Sequence, residues 1–135
     1  MSENQKQYVF KISELPLTPV SEDEKLTARF ILGKDSMLSF IENPPNTEFG
    51  IHDHECEQYL LIFEGSVEFV IDGKEVTIGA GEVAYFPGGV SHGGKTVTGM
   101  KGLDIFCPAR EPHLERMKRY GTMPSVDGTY PKAVK

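Results

Sequence analysis

The chain of 135 residues is long enough for one domain with one hydrophobic core. Its formal net charge of −6 argues against a nucleic-acid partner, because a phosphate backbone binds a basic surface. No apolar run reaches the roughly 18–20 residues that span a bilayer, so we expect no membrane association. The N-terminus is polar, and the two cysteines give no disulfide framework, so we expect a cytoplasmic protein.

Short runs typical of β-strands follow one another along the chain, separated by glycine, proline, asparagine and aspartate. We predict strands at residues 8–12, 26–32, 36–41, 59–63, 67–71, 75–78, 82–86 and 96–106. Asp72-Gly73 predicts a hairpin with a type I′ turn, since both central residues of that turn need positive φ. Many short strands with no helix between them indicate an antiparallel sandwich or barrel, and we expect an all-β fold.

One segment near the C-terminus has a helical pattern. Residues 111–120 are rich in charge, with Leu114 and Met117 three positions apart and Gly121 as a stop signal. We interpret His113, within this helix, as a surface residue. We predict one domain with N-terminal strands at 1–35 that take part in dimer formation, a barrel core at 36–110, and a C-terminal helix and tail at 111–135.

The run at residues 59–63 is apolar on both faces of a strand. One face of a barrel strand points to the lumen, so the other face requires a second layer. The C-terminal helix, the N-terminal strand or a second copy of the chain would each supply that layer. We favour the second copy and expect a homodimer.

Two clusters hold three of the four histidines. His52 and His54 precede Gln58, and His92 follows a Pro-Gly-Gly turn. Residues i and i+2 of a strand share a face, so His52 and His54 are expected to point the same way, with Gln58 beside them if the strand is regular. His92 must come from a different strand. Histidines facing water are the alternative interpretation.

Neutral imidazole is the commonest protein ligand for divalent transition metals. Three imidazoles and one amide oxygen leave a coordination position open, as catalytic metal sites do. We therefore predict that His52, His54, Gln58 and His92 bind one divalent transition metal, for which Ni, Zn, Mn, Fe, Co and Cu all suit the ligands.

The two clusters together resemble the double signature of the cupins, Gly-x5-His-x-His-x3-Glu-x6-Gly followed by Gly-x5-Pro-x-Gly-x2-His-x3-Asn. The matching residues are His52, His54, Gln58, Gly65, Gly81, Pro87, Gly89 and His92. Gln58 replaces the usual Glu, Thr96 replaces the usual Asn, and Gly50 lies closer to the first histidine than the pattern asks. The resemblance covers residues 36–110 and implies a single-domain double-stranded β-helix, or jelly-roll barrel, that is often dimeric.

A second group of candidate residues lies on the last predicted strand and just beyond it. Asp104 and Phe106 share a face, and a carboxylate among apolar neighbours needs a partner. Arg110, two residues past Pro108, is the candidate. A structural salt bridge is one interpretation. The other is a catalytic group in which Asp104 is a general acid and base, Phe106 an aromatic wall and Arg110 a carboxylate clamp.

The tract Asp-x-Phe-x-Pro-x-Arg, downstream of His-x-His-x2-Glu-Gln, resembles the cupins of pectin degradation. Those proteins convert 4,5-unsaturated monouronates into linear ketonised sugars, and the resemblance implies catalytic roles for Asp104, Phe106 and Arg110. We therefore expect a metal-dependent isomerase or tautomerase whose substrate is a small molecule bearing a carboxylate. The alternatives are a cupin dioxygenase acting on an enolic molecule and a non-catalytic cupin that binds a metal or a sugar.

Overall fold

A computed structural model describes residues 7–133 and consists mainly of β-strands. The strands are β1 (Thr18–Pro19), β2 (Thr27–Leu32), β3 (Met37–Asn43), β4 (Thr47–His52), β5 (Glu57–Ile71), β6 (Lys74–Gly79), β7 (Val83–Phe86), β8 (His92–Thr96) and β9 (Met100–Cys107). A short 3-10 turn, Ile12–Glu14, precedes them, and one helix, α1 (Glu111–Tyr120), follows them. No helix within the described residues has the length and apolar character needed to cross a membrane.

The strands form one curled antiparallel sheet in the order β1-β2-β3-β9-β5-β8-β4, with β6 and β7 also paired to β5. Strand β5 connects the two halves of the sheet. Its first part pairs with β7 and β9, and its last part pairs with β6 and β8. The expected all-β fold with a short C-terminal helix is confirmed, and the curled sheet encloses a space between its halves.

The two local signals read most directly from the sequence are confirmed. Asp72 and Gly73 have φ values of 50° and 78° and connect β5 to β6, as a type I′ turn requires. Helix α1 has the predicted bounds, and Gly121 ends it in the left-handed conformation with φ 68°. Both signals depend on backbone preferences of the residues themselves, which is why the sequence alone reveals them.

Other strand predictions need correction. Residues 8–11 form no strand, and the 3-10 turn begins at Ile12. The runs at 59–63 and 67–71 belong to the single strand β5. Its register with β9 shifts between Ile62 and Glu64, but the pairing continues through Gly65. A Cβ at Gly65 would lie 2.0 Å from the carbonyl oxygen of Gly99, so only glycine lets these two backbone segments come this close. The run at 96–106 is divided between β8 and β9, and β1 and β4 were not predicted.

The core consists of two groups of buried side chains on either side of the enclosed space. One group joins β2, β3 and β9 to α1 and includes Phe30, Met37 and Met117. The other joins β5, β6 and β7 and includes Ile62 and Phe86. The two groups hold the walls of the space in place.

The outer face of the strand pair β5–β7 has no covering layer within the described chain. Tyr59, Phe63, Val83 and Tyr85 are each between 39% and 56% exposed, while Leu60 is buried. Neither the C-terminal helix nor the described N-terminal residues, from 7 onwards, therefore cover this face fully. The homodimer that would cover it stays a prediction, as does the division of the chain at residues 35 and 110.

Candidate metal centre and its cavity

The three histidines of the two sequence clusters meet at one point. His52 ends β4, His92 begins β8, and the two are paired across the strands. The ring centroids of His52, His54 and His92 lie 4.5–5.5 Å apart. One potential ligand atom from each histidine lies within 4.8 Å of the others. The three side chains can therefore hold a single metal ion.

His52 and His54 do not lie on one regular strand, so one part of the prediction is wrong. We predicted that His52 and His54 share a face of one regular strand, but β4 ends at His52 and its pairing with β8 is irregular after Phe49. His54 lies in the link between β4 and β5. His92 comes from a separate strand, as the sequence indicated. The turn of the chain after β4, rather than strand periodicity, brings His54 to the other two rings.

Backbone carbonyl groups fix the tautomer of each histidine. The Nδ1 atom of His52 lies 2.8 Å from the Gly50 carbonyl oxygen, and that of His54 lies 2.9 Å from the Cys56 carbonyl oxygen. In His92 the corresponding contact is to the Val90 carbonyl oxygen, at 2.9 Å. A carbonyl oxygen only accepts, so each Nδ1 carries the hydrogen and each Nε2 keeps its lone pair. Such contacts orient the ring of a metal-binding histidine.

Gln58 completes a set of lone pairs directed at the same point. Its Oε1 lies 3.0 Å from Nε2 of His54 and 3.2 Å from Nε2 of His92. Its Nε2 donates to Oδ1 of Asp104 at 2.7 Å, which fixes the orientation of the amide. Lone pairs that face one another repel unless a cation or a proton lies between them. With the Nδ1 atoms protonated, this arrangement fits a metal cation.

Burial favours the neutral, ligating form of His52 and His92. Burial lowers the pKa of His92 to about 4, although the Val90 carbonyl opposes the shift. The His92 ring is 3% exposed and stacks on Phe86 with a centroid distance of 4.1 Å. The pKa of His52 is lowered as well, again mainly by burial. Both rings are neutral at physiological pH and available as ligands.

A cavity of about 190 Å³ occupies the interior of the curled sheet. Its lining includes His52 and His92, apolar side chains from both core groups, among them Phe106, and four further polar residues: Gln58, Asp104, Arg110 and His113. Water occupies about 30 Å³ per molecule, so the cavity has room for roughly six waters or one small ligand. The predicted catalytic residues therefore share one small compartment with three of the four predicted metal ligands, His52, Gln58 and His92.

Asp104 reaches this compartment from β9, where it is paired with Leu60 of β5. Burial raises the pKa of Asp104 to about 7, and the Gln58 amide and the charge of Arg110 oppose that shift. The three ion pairs in the part of the chain that the structure describes involve Lys101 and Lys132 and lie on the surface. An Asp104–Arg110 salt bridge, one of the two sequence interpretations, is therefore not formed.

Arg110 immediately precedes α1, and its side chain lines the cavity. The centre of its guanidinium group lies 5.9 Å from the centroid of the Phe106 ring. Its Nη1 lies 3.4 Å from Nε2 of His113, and its Nε is buried without a hydrogen-bond partner among the described residues. Burial lowers the pKa of Arg110, and the neighbouring Cys56 and Asp104 oppose this change. Arg110 is thus a cation that faces the cavity and forms no ion pair with a carboxylate of residues 7–133.

The interpretation of His113 as a surface residue is wrong. Its ring packs between Phe30 and Phe106, with centroid distances of 5.3 and 5.4 Å. Burial, and then the charge of Arg110, lower the pKa of His113 to about 3. A signal was present in the sequence, since His113, Leu114 and Met117 follow the spacing of one helix face. The buried Met117 marks that face as the inner one.

The sequence is similar to a known protein family and to one lyase. A family model described as the cupin domain matches residues 39–107, which is 69 of 135 residues. The dimethylsulfoniopropionate lyase DddW of Ruegeria pomeroyi is 37% identical over 70 residues, which cover 52% of this chain and 45% of that protein. The chain thus matches less than half the length of that relative.

Two solved structures extend the comparison of folds. An RmlC-like cupin from Shewanella frigidimarina has a TM-score of 0.72 at 23% identity, with 82% of this chain and 98% of that chain covered. KdgF from Halomonas sp. has a TM-score of 0.63 at 18% identity, with 69% and 87% covered. At these identities the likeness concerns the fold alone. The double histidine signature, the curled sheet and the match over more than half of its length establish that the chain belongs to the cupin family.

Proposed function

We propose that this cupin is a metal-dependent enzyme that moves a proton on a small molecule bearing a carboxylate. The leading reaction is the isomerisation or tautomerisation of an unsaturated uronate to its linear keto form. One observation carries the proposal. A carboxylate, Asp104, and a cation with no ion pair among residues 7–133, Arg110, line the same cavity as His52 and His92 of the histidine cluster.

His52, His54, His92 and Gln58 would hold the metal, because their free lone pairs converge. A divalent cation bound there would polarise an oxygen of the substrate. Gln58 is neutral, whereas a glutamate at this position would add a negative charge beside the ion. The amide therefore leaves the site more positive, which favours polarisation over tight retention of the metal.

Asp104 is the proposed general base and acid. Its Oδ1 accepts the amide hydrogen of Gln58 at 2.7 Å, so Oδ2 is the atom that takes a proton from the substrate and returns it to another atom. A general base is most effective when its pKa lies near the working pH. The raised pKa of Asp104, about 7, suits that role, although the geometry rather than this value carries the assignment.

Arg110 would bind the substrate carboxylate and Phe106 would pack against the substrate. A hydrogen bond to a charged group contributes about 1.5–3 kcal/mol, which supplies selectivity for an acid but not the rate of reaction. Ligand cavities commonly measure about 300–1,000 Å³. A cavity of about 190 Å³ restricts the substrate to one sugar unit or a smaller acid.

The similarity to dimethylsulfoniopropionate lyase supports a second candidate function. In such an elimination, Asp104 would remove a proton from the carbon beside the carboxylate. Those C–H electrons would form the C=C bond, and dimethyl sulfide would leave with the electrons of the C–S bond to give acrylate. The same Arg110 would bind the carboxylate. Both candidates thus need a base and a carboxylate clamp in one cavity, and they differ in the bond that breaks.

The deciding experiment supplies the purified protein, loaded in turn with each of the six candidate metals, with the unsaturated uronate. We expect the ultraviolet absorbance of its double bond to decay faster with protein than without. Asp104→Asn should lower the turnover number by about 100-fold or more, because general acid–base catalysis contributes that much. No acceleration with any of these metals would reject the isomerase.

Parallel assays separate the other functions. Release of dimethyl sulfide and acrylate from dimethylsulfoniopropionate would identify the lyase instead. Oxygen consumption with an enolic substrate would identify the dioxygenase. Binding of a uronate without turnover, with the same affinity in Asp104→Asn, would identify a binding protein.

A further inference from the structure

The start of α1 places a charged hydrogen-bond donor, Arg110, and a neutral acceptor, His113, side by side on the wall of the cavity. Arg110 is the residue that caps the helix, and its carbonyl oxygen accepts hydrogen bonds from the backbone N–H groups of His113 and Leu114, at 3.1 and 3.2 Å. These two bonds fix the backbone from Arg110 to Leu114. The side chains of Arg110 and His113, three positions apart, therefore lie next to each other.

The His113 ring is fixed independently of Arg110. It packs edgewise against Phe106 of β9 and in a tilted orientation against Phe30 of β2. Both phenylalanine side chains are only 1% exposed, so they form a rigid support. The ring has little freedom to rotate, and the direction of its Nε2 lone pair is set by the core of the barrel rather than by solvent.

The contact between the two side chains defines their charge states. The guanidinium group has only donors, so at the 3.4 Å contact Nη1 of Arg110 donates and Nε2 of His113 accepts. An imidazole accepts only when it is neutral. The nearby cations Arg110 and Arg116 and the positive end of the helix all disfavour protonation of His113.

A neutral partner has a different effect from a carboxylate at the same place. A carboxylate would orient the guanidinium and also cancel its charge, as in most buried ion pairs. His113 orients the group without cancelling its charge. Asp104 is hydrogen-bonded to Gln58 instead, and the Nε donor of Arg110 is buried without a partner among residues 7–133. A ligand anion would supply the missing charge.

We propose that His113 is a positioning residue that orients Arg110 through the Nη1–Nε2 hydrogen bond and leaves its positive charge free for the carboxylate of a small acid. The identity of this ligand as a carboxylate rests on the proposed function. The orientation of Arg110 by His113 rests on the contacts alone. His113 is therefore a determinant of affinity for acids and takes no part in proton transfer.

The test compares variants that separate ring packing from hydrogen bonding. His113→Phe keeps an aromatic ring between Phe30 and Phe106 but removes the acceptor, and His113→Leu removes both. His113→Gln retains an acceptor without the ring. Arg119→Gln is the matched control, because it removes an exposed positive charge from the same helix.

The probe is D-galacturonate, with D-galactose as the ligand that lacks the carboxylate, titrated calorimetrically into metal-loaded protein. We expect His113→Phe and His113→Leu to raise the Kd for galacturonate about tenfold, which corresponds to about 1.4 kcal/mol. His113→Gln should stay within about threefold of the wild type, since it keeps the hydrogen bond. Arg119→Gln should match the wild type, and no variant should change the binding of galactose.

A second measurement tests the contact without any ligand. Nitrogen-15 NMR should identify His113 as the tautomer protonated at Nδ1, and the Arg110 Nη1 resonance should shift in His113→Phe. If Arg110→Gln loses galacturonate binding while His113→Phe keeps wild-type affinity, the positioning role is overturned and the carboxylate clamp survives. If the wild type does not bind galacturonate although the NMR contact is present, the carboxylate assignment is overturned together with the proposed substrate class.

Discussion

The cavity has two functional walls that are built in different ways. On the histidine wall, a backbone carbonyl two residues away holds each of His52, His54 and His92. On the helix wall, Arg110 and His113 are held by one side-chain hydrogen bond and by packing against phenylalanine. The first wall is fixed by local chain geometry, and the second by the docking of α1 on the barrel. Substitutions on the two walls should therefore affect different properties.

The largest effect is expected from His92→Ala on the histidine wall. This change removes one of the three clustered imidazoles and a ring stacked on Phe86. Loss of a group that merely supports a metal ligand costs about 10–100-fold in affinity, so loss of the ligand itself should exceed about 100-fold. Metal analysis after dialysis should find the ion in the wild type and nearly none in the variant. Full metal occupancy in His92→Ala would contradict the site.

The helix wall should respond in the opposite way. Arg110→Gln removes the cation that faces the cavity but leaves His52, His54 and His92 untouched, so we expect full metal occupancy and weaker binding of acids. A lost charge-assisted hydrogen bond of about 1.5–3 kcal/mol corresponds to a Kd that is about 10–100-fold higher. Calorimetry with galacturonate and metal analysis of the same sample measure both properties. A large loss of metal in this variant would show that the walls are not independent.

Gln58 connects the histidine wall to Asp104, and Gln58→Glu tests that connection. The carboxylate keeps an oxygen directed at His54 and His92, so metal should be retained. A glutamate at position 58 cannot donate a hydrogen bond to Asp104. Its second oxygen would lie where the Gln58 Nε2 atom now lies, 2.7 Å from Oδ1 of Asp104, so two carboxylates would face each other. We expect the turnover number to fall about tenfold or more through disruption of the general base. Unchanged turnover with retained metal would exclude a role for the Gln58–Asp104 hydrogen bond.

The smallest effect concerns the pH dependence of stability on the helix wall. The pKa of His113 falls from an ordinary value of 6.5 to about 3 on folding, because of burial and the charges of Arg110 and Arg116, with smaller contributions from His54 and His52. The folded state therefore binds fewer protons than the unfolded chain between these values. Neutral His113 contributes stability that is fully present above pH 6.5 and is lost as the pH falls toward about 3.

His113→Phe removes this titration, so its free energy of unfolding should fall less steeply with acid than that of the wild type. The difference should reach at most about 1.4 kcal/mol per pH unit. Urea unfolding of both proteins at several pH values between 7 and 4 measures it, and Arg119→Gln again serves as the control. Parallel curves for the wild type and His113→Phe would mean that His113 is not shielded from protonation.

Several features of this protein were predictable because they depend on local sequence. Asp72-Gly73 makes the hairpin through its positive φ values, and Gly121 ends the helix for the same reason. The spacing of the histidine clusters, together with the cupin resemblance, predicted which rings meet. The predicted separation of the strands at 59–63 and 67–71 was wrong, because β5 continues through Gly65, whose close contact with the distant Gly99 no local pattern reveals.

Local sequence was sufficient to predict the all-β class, the β5–β6 hairpin, helix α1 and the side chains available for metal binding, because backbone preferences and the alternation of apolar residues act over a few positions. The packing of distant segments decided that His54 reaches the cluster from a link, that Asp104 bonds to Gln58 rather than to Arg110, and that His113 faces the cavity instead of the surface. Each of these outcomes depends on how distant segments pack around the cavity. Packing sets the partner and the charge state of a side chain, and no short stretch of sequence contains that information.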